Sequence, residues 1–140
     1  MNQSPEDRHT RNHRASPTTA ADLSRVVGLG QALYYIATGV WSLVSIDTFQ
    51  KVTGPKTDLW LVKTVGVLVI VIGGVVGIGS TRRSTGPEIP MLAVGSAAGL
   101  TAIDVVYVAK RRIAPIYLLD ALGEIALIIG WAMAWRQRSR

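Results

Sequence analysis

Asp120 and Glu124 lie four residues apart inside the run from Ile116 to Trp135, IYLLDALGEIALIIGWAMAW, which is otherwise almost wholly apolar. On a helix that spacing puts both carboxyls on one face, one turn from each other. Carboxyls so placed suit three kinds of chemistry. They can act as acid and base on one substrate, carry a proton through a membrane, or pair with a base on a neighbouring helix. Each kind needs further polar groups at the same height, and two earlier apolar runs carry candidates in Asp104 and Lys63.

The elements that must position these groups are four apolar runs. A helix of about 20 residues rises roughly 30 Å, the thickness of a bilayer's hydrocarbon core. The chain has 140 residues and is 49% hydrophobic against 17% charged, and its charges gather at the ends and in short loops. The expected fold is therefore all-α, an antiparallel bundle of four transmembrane helices. Spans are expected at about 26–46, 59–79, 91–109 and 116–135, within a bundle over 22–140 that follows a disordered basic tail over 1–21. The tail is too polar to bury the surface that would offset the entropy of ordering it. Thr19 with Asp22 has the spacing of a cap for the first helix, and Thr57 reads as the cap of the second. Gly54-Pro55 marks the turn of a first loop over 47–58. Gly73 with Gly77, and Gly95 with Gly99, have the small-xxx-small spacing that admits close helix contact.

A carboxylate in mid-bilayer costs about 3 kcal/mol unless it is paired, protonated or hydrated. Depth can be counted from the side of the first and third loops, at about 1.5 Å per residue. Lys63 then lies roughly 6 Å in, Asp104 roughly 7 Å, Asp120 roughly 6 Å and Glu124 roughly 12 Å. A charged layer of Lys63, Asp104, Asp120 and Glu124 is expected, with Lys63 paired to Asp104 or Asp120. One lysine cannot neutralise three acids. Either Lys110, Arg111 or Arg112 folds down from the third loop, or a carboxyl stays protonated, or water enters. The layer is either a clasp that fixes helix register or a pocket, with Ser42, Ser45 and Tyr107 as neighbours.

Other chemistry is disfavoured. The absence of cysteine excludes disulfides and thiolate metal sites. His9 and His13 have metal-like spacing, but arginines surround them and no acid completes a site, so neither metal nor cofactor is expected. Gly54-Pro55-Lys56-Thr57 lacks the upstream glycine and preceding strand of a phosphate-binding loop. A cleavable signal peptide is not expected, since no small-residue cleavage site follows the first apolar run. The formal charge of +6 comes from bases that flank apolar spans, which points to membrane lipids as partners rather than nucleic acid. Lys110, Arg111 and Arg112 are the candidates for lipid headgroups. The balance of Lys and Arg between the two sides predicts cytoplasmic termini.

The run Phe49 to Gly66, FQKVTGPKTDLWLVKTVG, resembles a stretch found in small uncharacterised bacterial integral membrane proteins. The four-span layout, with a glycine-rich second helix and an acid in the third, is similar to the DoxX-like superfamily. This implies a multi-pass protein of the bacterial inner membrane and transfers no functional residue. The expected function is binding or accessory and non-enzymatic, with the charged layer holding a small ligand or lipid headgroup. The alternatives are a proton-coupled small-molecule transporter, and a lipid-modifying enzyme that uses the paired carboxyls. A homo-oligomer or a membrane-protein partner is compatible with each.

Overall fold

A computed structural model describes residues 20–55, 57–82 and 86–138. These form five helices: α1 Ala20–Val44, α2 Ile46–Thr53, α3 Leu59–Thr81, α4 Glu88–Ala109 and α5 Tyr117–Arg138. All but α2 are long and apolar enough to cross a membrane. Their outer faces carry large apolar side chains with nothing against them, among them Leu33, Val44, Trp60 and Met91. A water-soluble bundle would turn such residues inward, so this is the architecture of a multi-span membrane protein.

The spans fall close to the expected positions, whereas the connections differ. Ser45 leaves helical geometry at φ −135°, and the chain re-enters a helix where a loop over 47–58 is expected. This short α2 is amphipathic, with Phe49 and Thr53 buried and Asp47 and Lys51 exposed. It is anchored to the end of α1. The Trp41 indole donates to Thr48 Oγ1 at 2.9 Å, and the Trp41 ring meets Phe49 edge-on at 5.4 Å. Gly54 ends α2 at φ 88°, a conformation open only to glycine in practice. Asp58, not Thr57, occupies the N-cap of α3. Helix α1 begins at Ala20, inside the range expected to be tail. Thr19, His9, His13 and the rest of 1–19 lie outside the described residues.

Around the bundle the order is α3, α1, α5, α4. The closest packing is between α1 and α3, then α4 and α5, while α3 and α4 touch only sparsely. The intimacy of α1 with α3 comes from glycine. A Cβ on Gly39 would stand 2.6 Å from the Gly66 carbonyl oxygen, and one on Gly73 would stand 3.0 Å from the Ala32 carbonyl oxygen. Gly95 and Gly99 differ from this pattern, since no atom of the chain approaches within 4 Å of where their Cβ would be. Their spacing matches that of Gly73 and Gly77, yet they serve no contact inside this bundle.

The half of the bundle near the ends of the chain is filled. Val76, Ile89, Ala93 and Trp131 form its core, with Val27, Ile72 and Val94 against them. Gln31, fully buried, ties three helices there: it donates to the Ala93 carbonyl at 2.9 Å and accepts from the Trp131 indole at 2.8 Å. Helices α4 and α5 are joined by a tight turn in which Arg111 takes φ 54°. Arg111 N–H donates to Val108 and Arg112 N–H to Tyr107, the paired bonds of a Schellman cap.

Replacing Gly39 with Leu should destabilise the protein by about 1–3 kcal/mol, because neither backbone can retreat from the new side chain. Gly74→Leu, into open space, should leave stability unchanged. Thermal unfolding in detergent, followed by circular dichroism, compares the two.

Candidate functional site

The other half of the bundle is hollow. A cavity of about 360 Å³ lies between α1, α3, α4 and α5, and Phe49 of α2 contributes to its wall. That volume is within the range of small-molecule sites, at its lower end. The wall is mostly apolar. Leu61 and Val65 of α3 and Ile103 of α4 are exposed on the outside of the bundle as well as lining the cavity. The hollow is therefore open sideways along the sparse α3–α4 seam, toward the acyl chains.

Three acids converge on this cavity: Asp104 from α4, and Asp120 and Glu124 from α5. Two of them receive a hydroxyl from α1. Tyr34 OH donates to Asp120 Oδ1, and Tyr35 OH donates to Glu124 Oε2 at 2.9 Å. Ser96 Oγ lies 3.4 Å from the Tyr35 oxygen on its other side. Glu124 is only 1% exposed, and the Tyr35 phenol is equally enclosed. Asp104 is 5% exposed, yet its Oδ2 has no hydrogen-bond partner. Its carboxyl also lies within hydrogen-bonding reach of Asp120. Two carboxylates at that separation repel, unless a proton or another positive charge comes between them.

The expected layer is thus divided. Asp104, Asp120 and Glu124 meet as anticipated. Lys63 does not join them: it is exposed on α3 and does not line the cavity. Its height was countable along the helix, but its direction around the helix axis was not. Lys110, Arg111 and Arg112 are also exposed rather than folded down, and Lys110 Nζ stands 5.8 Å from the centre of the Tyr107 ring. Among the described residues, no lysine, arginine or histidine lines the cavity. Of the expected neighbours, Ser42 lines it and donates to its own helix at Gly39 O, 2.8 Å away. Ser45 instead caps the bend into α2 and meets Thr48 at 2.7 Å, and Tyr107 is on the outer surface.

Sequence reasoning missed Tyr34, Tyr35, Thr38, Phe49 and Tyr117 as wall residues. A signal for most of the α1 set was present. Gln31, Tyr34, Tyr35, Thr38 and Ser42 recur at intervals of three or four residues, which is a polar stripe along one face of α1. Tyrosines in an apolar run are readily counted as bulk, although a buried phenol nearly always seeks a partner.

No metal centre suggests itself, since among the described residues no group of three or more His, Cys, Asp or Glu is arranged to hold an ion. The chain matches no family model, no curated protein and no solved structure. Its functional reading therefore comes from this geometry.

The two kinds of acid should respond oppositely to substitution. Tyr35→Phe should lower stability by about 1 kcal/mol or more, because Glu124 loses its buried donor. Asp104→Asn should cost nothing or raise the melting temperature, since the amide can donate to Asp120 and one of three like charges is gone. Melting curves of both variants in the same detergent check this.

Proposed function

We propose that this chain is a non-enzymatic binding protein of the membrane interior, whose half-hollow bundle receives a small, largely apolar ligand by its polar end. The observation that supports this best is the Asp104 carboxylate oxygen, buried at the cavity wall without a partner. A clasp built for stability would bring a donor to every carboxyl it buries, because an unsatisfied one is expensive in a low-dielectric interior. Here two acids receive donors from tyrosines of α1, while the third lines the same cavity beside Asp120 with one buried oxygen that no donor of the chain reaches.

A lipid phosphate is a poor occupant on this reading, since three acids line the cavity and, among the described residues, no base does. The charges of the loops and termini support a setting for the site. In the sequence, Arg8, Arg11, Arg14, Arg25, Arg82, Arg83, Arg136, Arg138 and Arg140 outnumber Lys51, Lys56, Lys110, Arg111 and Arg112 of the first and third loops, which favours cytoplasmic termini. The layout resembling the DoxX-like superfamily supports a bacterial inner membrane as the location. The cavity half, with α2 across its end, then faces away from the cytoplasm.

The absence of cysteine makes an accessibility test direct. In membranes, Thr38→Cys at the cavity wall should react with neutral methyl methanethiosulfonate at least tenfold faster than Ala97→Cys, which replaces a fully buried residue. Equal inertness of the two would mean a closed clasp and would end the binding reading.

A further inference from the structure

We propose that the occupant of this cavity is an organic cation, a protonated amine on a compact apolar body, whose N–H donates to the Asp104 carboxyl. The inference rests on the binding reading above and names the ligand's chemistry.

The wall sets three requirements. First, the site is one-signed: Asp104, Asp120 and Glu124 bring carboxyls, and among the described residues no basic side chain lines the volume. A ligand that enters must tolerate or balance that charge, which excludes anions and favours a cation. Second, the group left without a donor is an acceptor. Tyr34 and Tyr35 already supply Asp120 and Glu124, so the group still wanting a donor is Asp104 Oδ2. An ammonium gives both a donor and a positive charge at that point, and a charge-assisted bond of this kind is roughly twice as strong as a neutral one. A neutral alcohol supplies the donor alone. A quaternary ammonium supplies the charge alone.

Third, the rest of the volume is lined by carbon. Leu61, Val62, Val65, Val69, Leu100 and Ile103 form much of the wall, which suits an apolar body and not a hydrated ion. Aromatic rings stand near the acids as well. Tyr34 and Tyr35 flank them from α1, their ring centroids 6.1 Å apart, and Phe49 and Tyr117 complete the aromatic part of the lining. The negative faces of such rings attract cations. A metal ion fits poorly, since the acids do not form a ligand set. The lateral opening between α3 and α4 gives an amphiphilic amine a route from the bilayer, where its apolar body already resides.

The test uses the full-length protein in phosphatidylcholine nanodiscs, which carry no net lipid charge to attract the probes. Phenethylamine, phenethyl alcohol and phenylacetate share one apolar body and differ in charge and donor. Isothermal titration calorimetry is run on each, with empty nanodiscs subtracted. The wild type should bind the amine at least tenfold more tightly than the alcohol and should not bind the acid. Asp104→Asn should reduce amine affinity at least tenfold and the alcohol's affinity by less. Equal binding of amine and alcohol by the wild type would overturn the cation assignment, as would an amine affinity that Asp104→Asn leaves unchanged. No amine binding at all, in protein whose Thr38→Cys variant is labelled, would also overturn it while the binding reading stands. Inert Thr38→Cys sinks that reading itself, so the two failures are distinguishable.

Discussion

A carboxyl group placed among apolar helices must receive its hydrogen-bond donors from the same chain, because lipid offers none. That constraint fixes the relation between α1 and α5. Gln31, early on α1, meets Trp131, late on α5, while the later pair Tyr34 and Tyr35 meets the earlier Asp120 and Glu124. The bonds therefore define an antiparallel register and a rotation for both helices at once. Apolar packing alone would specify neither as firmly, since lipid tails are as good a partner for leucine as another leucine is. A slip of one helical turn would separate these donors and acceptors together.

The same bundle is solid at one end and hollow at the other for steric reasons that can be traced to particular residues. Gly39 and Gly73 draw α3 onto α1 along their length. At the solid end, the Trp131 ring and the Ile89 side chain occupy the space that remains between this pair and α4 with α5. At the hollow end, α5 turns the carboxyls of Asp120 and Glu124 inward. Helix α4 answers with Asp104 and Leu100, and the α3–α4 seam stays open. Helix α2 then covers part of the end with Phe49. The cavity is thus the volume left when two helix pairs are held apart by polar groups at one end and by aromatic and aliphatic bulk at the other.

How far this was legible in the chain differs by level. The spans are readable because about 20 apolar residues in succession have few other homes. The meeting of Asp104, Asp120 and Glu124 follows from counting rise per residue from a common loop side. Lys63 shows the limit of that count: height follows from sequence distance to the loop, whereas facing depends on which side of α3 packs inward. Here Val62, Gly66 and Val69 do so, and Lys63 lies off that stripe with a long stem able to carry its charge toward the interface. Helix α2 is hard to see in the sequence because eight residues give too few periods to register, and the Gly54-Pro55 turn dominates their neighbourhood. Ile46, Phe49 and Thr53 at intervals of three and four were the available hint.

The unequal treatment of the three acids is the structure's most informative departure from self-consistency. The chain has hydroxyls on α1 and α4 that a more stable design could turn toward an acid. Ser42 donates instead to Gly39 O at 2.8 Å, and Thr101 donates to Ala97 O at 2.8 Å. Those bonds return to the helices' own carbonyls, which already have amide partners, so the hydroxyls are satisfied where little is gained. Meanwhile Asp104 Oδ2 is buried without a partner beside a volume that no basic side chain lines among the described residues. Natural proteins depart from local consistency mainly where an occupant restores it. An acid without a donor, set between rings whose faces favour cations and walls that favour carbon, describes by its deficiencies the molecule that would complete it.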